Sequence, residues 1–277
     1  MKVNTLETKP SNLEFALEMD KNDPLSHFRR RFHFPKSNSG KSYIYFSGNS
    51  LGIQPVTAEE YVNDELDAWK LLAVDAHLKS KRPWLTYHEL LTSYSAEIVG
   101  ALDKEVVVMN SLTVNLHLLM VSFYCPKGNR KKILIEKQAF PSDRYAVQSQ
   151  LKFHGNDPNE DLIVMESDEG EFISPSTVMN YLKKYGEETA LVLLGGVNYY
   201  TGQVFDMSSI NNEAKKFGCP VGFDLAHAAG NLELNLHDWG IDFAAWCGYK
   251  YLNGGPGAPS GVFIHERHLG LENLPRF

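Results

Sequence analysis

The sequence is short of three things, and each shortage excludes a class of protein. It has three cysteines, Cys125, Cys219 and Cys247, scattered through 277 residues. That is too few and too dispersed for a disulfide framework or a zinc knuckle, and it makes a reducing, cytoplasmic compartment the expectation. No apolar run approaches the ~20 residues a membrane span requires. The opening "MKVNTLETKPSNLEFALEMDKNDPL" has no apolar centre of the signal-peptide kind. Positive charge is not in excess: 27 Lys and Arg against 34 Asp and Glu leave a formal charge of −7. A broad nucleic-acid surface needs the opposite balance, so neither nucleic acid nor a membrane is an expected partner. The one basic knot, "HFRRRFHFPK", reads as a solvated helix end.

What is present is an ordinary globular composition, 43% hydrophobic and 22% charged, in a chain long enough to bury a sizeable core. Residues 1–50 read as a helical arm broken at Asp23-Pro24 and Phe34-Pro35. From Ser42, "SYIYFSGNSLGIQP" reads as a short strand entering a turn. A helix follows, opened by a capping box from Thr57 to Glu60, with Tyr61, Leu66 and Trp69 at spacings that share one side.

From about Glu105 the pattern changes, and residues 51–277 read as one large domain. Short apolar runs are expected as strands at 132–136, 161–166, 190–199, 220–227, 242–249 and 261–266. Helices are expected at 113–124, 142–153, 175–185 and 208–217, the last stopped by Gly218. Near-continuous apolar strands alternating with helices imply an α/β fold, a mostly parallel sheet covered on both faces. Such sheets bind ligands at the carboxyl ends of their strands.

Four features fall at those ends. In "MNSLTVNLHLLM", Ser111, Leu112 and Thr113 precede an apolar helix and could hold a phosphate at its positive end, although an ordinary Ser or Thr cap would read the same. In "KQAFPSDRYAV", Phe140 could stack on a flat ring, and Ser142 or Asp143 could cap the next helix. In "VGFDLAHAAGN", Asp224 ends an apolar strand, and a buried carboxylate there needs a cation. His227, His237 and Asp238 follow it, but without helical metal-ligand spacing, so no metal is expected. In "FAAWCGYKYLNGGPG", Lys250 stands alone among apolar, aromatic and glycine residues. An acid, an amine, an aromatic plate and a helix start on one sheet edge are what pyridoxal phosphate needs. Its aldehyde takes a lysine, its ring nitrogen a carboxylate and its phosphate N–H donors.

The stretches "YFSGNSLGIQP", "KRPW", "MNSLTVNLHLLM", "AFPSD", "GGVNYYTGQ", "GFDLAHAAGN", "LHDWGIDFA" and "YKYLNGGPG" together resemble the kynureninases, members of the aspartate-aminotransferase superfamily of pyridoxal-phosphate enzymes (fold type I). The resemblance runs from about Ser42 through nearly the whole remaining chain. It implies hydrolysis of L-kynurenine, or its 3-hydroxy form, to an anthranilate and L-alanine, in tryptophan catabolism and NAD biosynthesis, by a homodimer. It implies that Lys250 bonds the cofactor and that Asp224 pairs with the ring nitrogen. Leu112 and Thr113 would contact the phosphate and Phe140 stack on the ring. Asp143, His227 and Tyr249 would be further cofactor contacts, with His77, Asn49 and Ser50 on the substrate side.

The resemblance also carries departures. Gly195 stands where many relatives have a Ser or Thr that contacts the cofactor. Family members continue well past "LENLPRF" through a smaller domain with the arginine expected to hold the substrate carboxylate, so the chain reads as the large-domain part of a longer enzyme. The rival readings are a class V lyase or desulfurase, which would need a nucleophilic cysteine on a mobile loop, and a non-catalytic fragment that only binds the cofactor.

Overall fold

Apolar runs of four to seven residues bury side chains on both sides of a strand, so the sheet they form must be covered twice. The computed structural model, which describes residues 12–168 and 170–276, has that architecture. Residues 1–11, the beginning of the expected helical arm, lie outside the described residues.

Among the described residues seven strands form one sheet: β1 (Val106–Met109), β2 (Lys132–Glu136), β3 (Leu162–Met165), β4 (Thr189–Gly195), β5 (Val221–Asp224), β6 (Phe243–Trp246) and β7 (Ser260–Ile264). Their order is β1-β7-β6-β5-β4-β2-β3. Strands β2 to β6 pair in parallel, while β7 is antiparallel to both β6 and β1. Six strands therefore end at one edge, and only β7 runs the other way.

The helices in chain order are α1 (Leu13–Asn22), α2 (Ala58–Leu72), α3 (Ala76–Lys79), α4 (Thr92–Val99), α5 (Leu112–Phe123), α6 (Pro141–Phe153), α7 (Pro158–Asp161), α8 (Pro175–Tyr185), α9 (Met207–Lys216) and α10 (Leu236–Trp239). On one face Ile133, Ile135, Leu191, Leu193 and Phe243 pack against Leu116 and Met120 of α5 and Val147 and Leu151 of α6. On the other, Leu134, Val192, Leu194, Phe223 and Trp246 pack against α4, α8 and α9 through Ala96, Leu182 and Ile210. Each fully buried side chain of this kind stabilises the fold by ~1.5–3 kcal/mol.

Helix boundaries in this part follow their local signals. Ser174 caps α8 by accepting the Thr177 N–H, and Asp206 caps α9 by accepting that of Ser209. Gly218, at φ +70°, turns the chain out of α9 as expected.

Two expectations nearer the N-terminus fail. The segment from Ser42 forms no strand: it has only two isolated bridges, Lys36 to Ser42 and Phe32 to Pro55, and Ile44 and Phe46 stand 84% and 90% exposed, with no ladder among the described residues. The capping box at Thr57 is also absent. Thr57 sits in helical backbone (φ −84°, ψ −7°), whereas a capping side chain needs an extended residue to reach the first-turn N–H groups.

Candidate active site

The edge where the parallel strands end is built from four connections. Leaving β1, Asn110 adopts the left-handed conformation (φ +50°) and donates to Asn115 Oδ1 at 3.2 Å. Fully buried Asn115 in turn donates to the Met109 carbonyl at 2.8 Å, which holds the bend that starts α5 at the edge. Ser111 is extended at the cap position but its side chain makes no capping hydrogen bond. The first-turn N–H groups of α5 therefore face the edge without a side-chain acceptor, as an anion site requires.

Strands β5 and β6 are neighbours, with Asp224 paired to Ala245. Asp224 is 8% exposed and accepts the Ala226 N–H at 2.7 Å, but makes no ion pair among the described residues. Lys250 is not at a strand end; it lies four residues beyond β6 in a turn, and is equally buried. Its Nζ is 2.9 Å from His227 Nε2 and 5.7 Å from the centroid of the Phe140 ring. Burial, and then the Lys250 charge, push the His227 pKa below its ordinary value, so the ring is neutral at pH 7. Gly52 N–H donates to the Tyr249 carbonyl at 2.8 Å. A Cβ at Gly52 would collide with the Lys250 carbonyl and the Asn253 side chain, so only glycine allows this close approach.

Two further carboxyls complete the site. Phe140 is the cap residue of α6 and Pro141 its first residue, so Asp143 falls inside the first turn and does not cap it. Asp143 is buried, and its pKa lies well above the ordinary value because of burial, then the Asp224 charge and a hydrogen bond shared with Asp224. Glu136, the last residue of β2, accepts the Gly195 N–H at 3.1 Å. Burial pushes its pKa up to about 7, opposed by backbone N–H groups and reinforced by the Asp224 charge.

These residues enclose a cleft of about 560 Å³. It brings together Leu112, Thr113, Phe140, Asp143, Asp224, His227, Tyr249 and Lys250, all picked out in the sequence, with Ser111 and Ser142 beside them. Gly195 also lines it. His77, Asn49 and Ser50 are exposed and are not among the lining residues; the His77 ring meets Trp84 edge-on at 5.5 Å instead. His237 does not line the cleft; it lies 3.0 Å from Glu105, beside His265. Sequence reasoning missed Glu136 and Tyr199. Glu136 carries a signal, an acid closing the otherwise apolar run "ILIE", but in the sequence alone that marks only the end of a strand.

The donor set suits pyridoxal phosphate. A buried carboxylate lacks a cation, a buried amine lies one strand away, an aromatic ring faces that amine, and an uncapped helix start opens onto the same cleft.

Residues 88–272 match the family model described as aminotransferase class-V. A kynureninase of Koribacter versatilis is 54% identical over 264 residues, which is 95% of this chain and 62% of that protein. The Homo sapiens kynureninase is 46% identical over 275 residues, 95% of this chain and 59% of that protein. The chain thus spans about three fifths of the length of these relatives. Among solved structures, a cystine C–S lyase in complex with cysteine persulfide superimposes with a TM-score of 0.67 at 20% identity, covering 82% of this chain and 58% of that one. An apo cysteine desulfurase from Thermococcus onnurineus gives 0.61 at 19% identity, covering 91% and 57%. At such identities these two likenesses speak for the fold alone.

Proposed function

The chain belongs to the class-V aminotransferase family, and on that premise we propose that it binds pyridoxal phosphate and acts as a kynureninase, cleaving the Cβ–Cγ bond of L-kynurenine or its 3-hydroxy form to an anthranilate and L-alanine. The observation that carries the reading is the buried Lys250 amine, 2.9 Å from neutral His227, with Asp224 at the end of the neighbouring strand β5 and without an ion pair among the described residues. When bound, pyridoxal phosphate supplies an aldehyde that condenses with an amine and a protonated ring that draws electrons from bonds at the attached carbon.

The chain's residues take the other roles. Asp224, anchored by the Ala226 N–H, holds the ring nitrogen in its protonated form. The N–H groups at Leu112 and Thr113 bind the phosphate at the positive end of α5. Phe140 covers the ring. Lys250 removes the substrate Cα proton and returns a proton, and His227 orients its amine through the shared hydrogen bond. Asp143, kept neutral, hydrogen-bonds Asp224 without adding a second charge.

The desulfurase reading has less support. Among the described residues no cysteine lines the cleft, and burial pushes the Cys219 and Cys247 thiols up rather than toward the thiolate. All three cysteines are free, which supports a reducing, cytoplasmic setting. No helix among the described residues is long and apolar enough to cross a membrane. The exposed Tyr61, Leu66 and Trp69 on α2 support a homodimer.

The test is spectroscopic and chemical. Pyridoxal phosphate added to the protein should give an absorbance band that Lys250→Ala abolishes entirely, and the protein so loaded should release anthranilate from kynurenine. Absence of a lysine-dependent band overturns the cofactor assignment. A normal band without anthranilate release overturns the kynureninase assignment.

A further inference from the structure

One buried group in the cleft has no role in this scheme. Glu136 is 3% exposed at the end of β2 and lines the cleft. Its Oε1 accepts the Gly195 N–H at 3.1 Å, whereas its Oε2 is buried with no hydrogen-bond partner. A buried carboxylate oxygen without a donor is costly, so Oε2 must carry a proton or meet a ligand.

The neighbouring charges decide between the oxygens. The titratable groups around the cleft are Asp143 on α6, Asp224 at the end of β5, His227 in the turn beyond it, Tyr199 beyond β4, and Tyr249 and Lys250 beyond β6. Lysine is the one ordinarily cationic side chain among these lining residues, since His227 is neutral. Three carboxyls beside one cation cannot all ionise in a buried site. Asp224 has the Ala226 N–H and Asp143 the Ser142 hydroxyl as donors, while Glu136 Oε2 has none. The absence of a side chain at Gly195 matters as well: a Cβ there would lie 3.1 Å from Glu136 Oε1, tight enough to force the carboxyl to shift.

We propose that Glu136 is a positioning residue of the cofactor site, protonated on Oε2 and donating from it to the phenolate oxygen of pyridoxal phosphate. The inference rests on the pyridoxal-phosphate reading. Apart from the nitrogen that Asp224 meets, the phenolate oxygen is the acceptor that the ring itself offers. The proton also leaves the negative charge of the carboxyl cluster on Asp224, where the ring nitrogen needs it. Ionising Glu136 removes the donor and adds an anion next to Asp224 and near a phosphate-bearing ligand, so affinity falls as pH rises through that ionisation. Burial sets the ionisation at about 7, inside the workable range.

The experiment titrates pyridoxal phosphate into the wild-type protein, Glu136→Gln and Glu136→Leu from pH 6 to 8.5, reading both affinity and the position of the Lys250-dependent band. Glutamine imitates the protonated acid and cannot ionise. The ratio of wild-type to Gln dissociation constants cancels the titrations of Lys250, His227 and the phosphate. It should be near one at pH 6 and rise several-fold by pH 8.5, below the limit of about tenfold per pH unit for one proton. Leucine should weaken binding about tenfold at pH 6 and shift the band, and Gln should restore both. A ratio flat across the range, beside a normal wild-type band, overturns the role of Glu136 alone. No Lys250-dependent band in the wild type overturns the cofactor reading and this proposal with it.

Discussion

Residues 12–94 and residues 95–265 dispose of their apolar side chains in opposite ways. In the first region Ala76 is the one buried residue, and α1 and α2 bury nothing. Tyr61, Leu66 and Trp69 have the spacing of a core-facing stripe, yet each is more than half exposed. The second region holds both core clusters and the whole cleft. Helical periodicity shows which residues can share a face, but not what that face meets. The two regions still touch where it matters: Gly52, from the poorly buried part, closes on the turn that carries Lys250.

The largest expected difference comes from emptying one position in each region. Phe223 is fully buried in the sheet core, so Phe223→Ala should cost ~3–5 kcal/mol in denaturant unfolding. Trp69 is 67% exposed on the single chain, and in protein dilute enough to be monomeric Trp69→Ala should change stability by less than ~0.5 kcal/mol. Comparable losses in the monomeric protein would mean that the α2 face is covered by the chain itself, and the contrast between the regions would collapse.

The same contrast governs what was legible in the sequence. Strands β2, β4, β5 and β6 could be placed because "KILIE", "ALVLLG", "VGFD" and "FAAW" are apolar on both sides, a pattern that a doubly covered sheet alone explains. β1 escaped notice: it is only "VVVM", and three of its four residues are half-buried. The reversed direction of β7 has no sequence signal, since an apolar strand reads the same in either sense. In the site, Asp224 and Lys250 stood out as charges in apolar surroundings. Glu136 did not, because its significance lies in Gly195 and Asp224 on other strands, which a single stretch cannot show. The strand at Ser42 failed for the converse reason: β-forming residues were present and a partner strand was not.

A smaller effect sharpens the comparison at helix starts. Asp206 caps α9 through the Ser209 N–H at 3.0 Å, so Asp206→Ala should cost about 1 kcal/mol. Thr57 precedes α2 without a capping bond, and Thr57→Ala should cost nothing resolvable. Equal losses would show that Thr57 caps α2 after all, restoring the capping box that the sequence suggested.

The smallest effect lies just past the boundary, where buried Glu105 accepts the N–H groups of Leu102 at 2.9 Å and Glu266 at 2.7 Å. His237 lies 3.0 Å from it and stacks at 5.1 Å on His265. The hydrogen bond to Glu105 raises the His237 pKa, while burial, followed by the Arg267 charge, lowers that of His265. The two signs are opposite. A raised histidine stabilises fully below its unfolded value of about 6.5 and loses that contribution as pH climbs through the folded value. A lowered one resists protonation, so stability is lost as pH falls below about 6.5. Glu105 is held below its ordinary value despite burial, by the Leu102 N–H, then His237 and the Glu266 N–H, and it loses its contribution only in more acid solution. Against the wild type, His237→Gln should therefore be least stable, by ~0.5 kcal/mol, near pH 6, with the deficit shrinking toward pH 8. His265→Gln should show the reverse trend, gaining on the wild type as pH falls from 7 to 5.5. Urea midpoints across that range measure both. Parallel profiles for the two variants would mean that the stacked pair titrates as one unit and that Glu105 does not distinguish them.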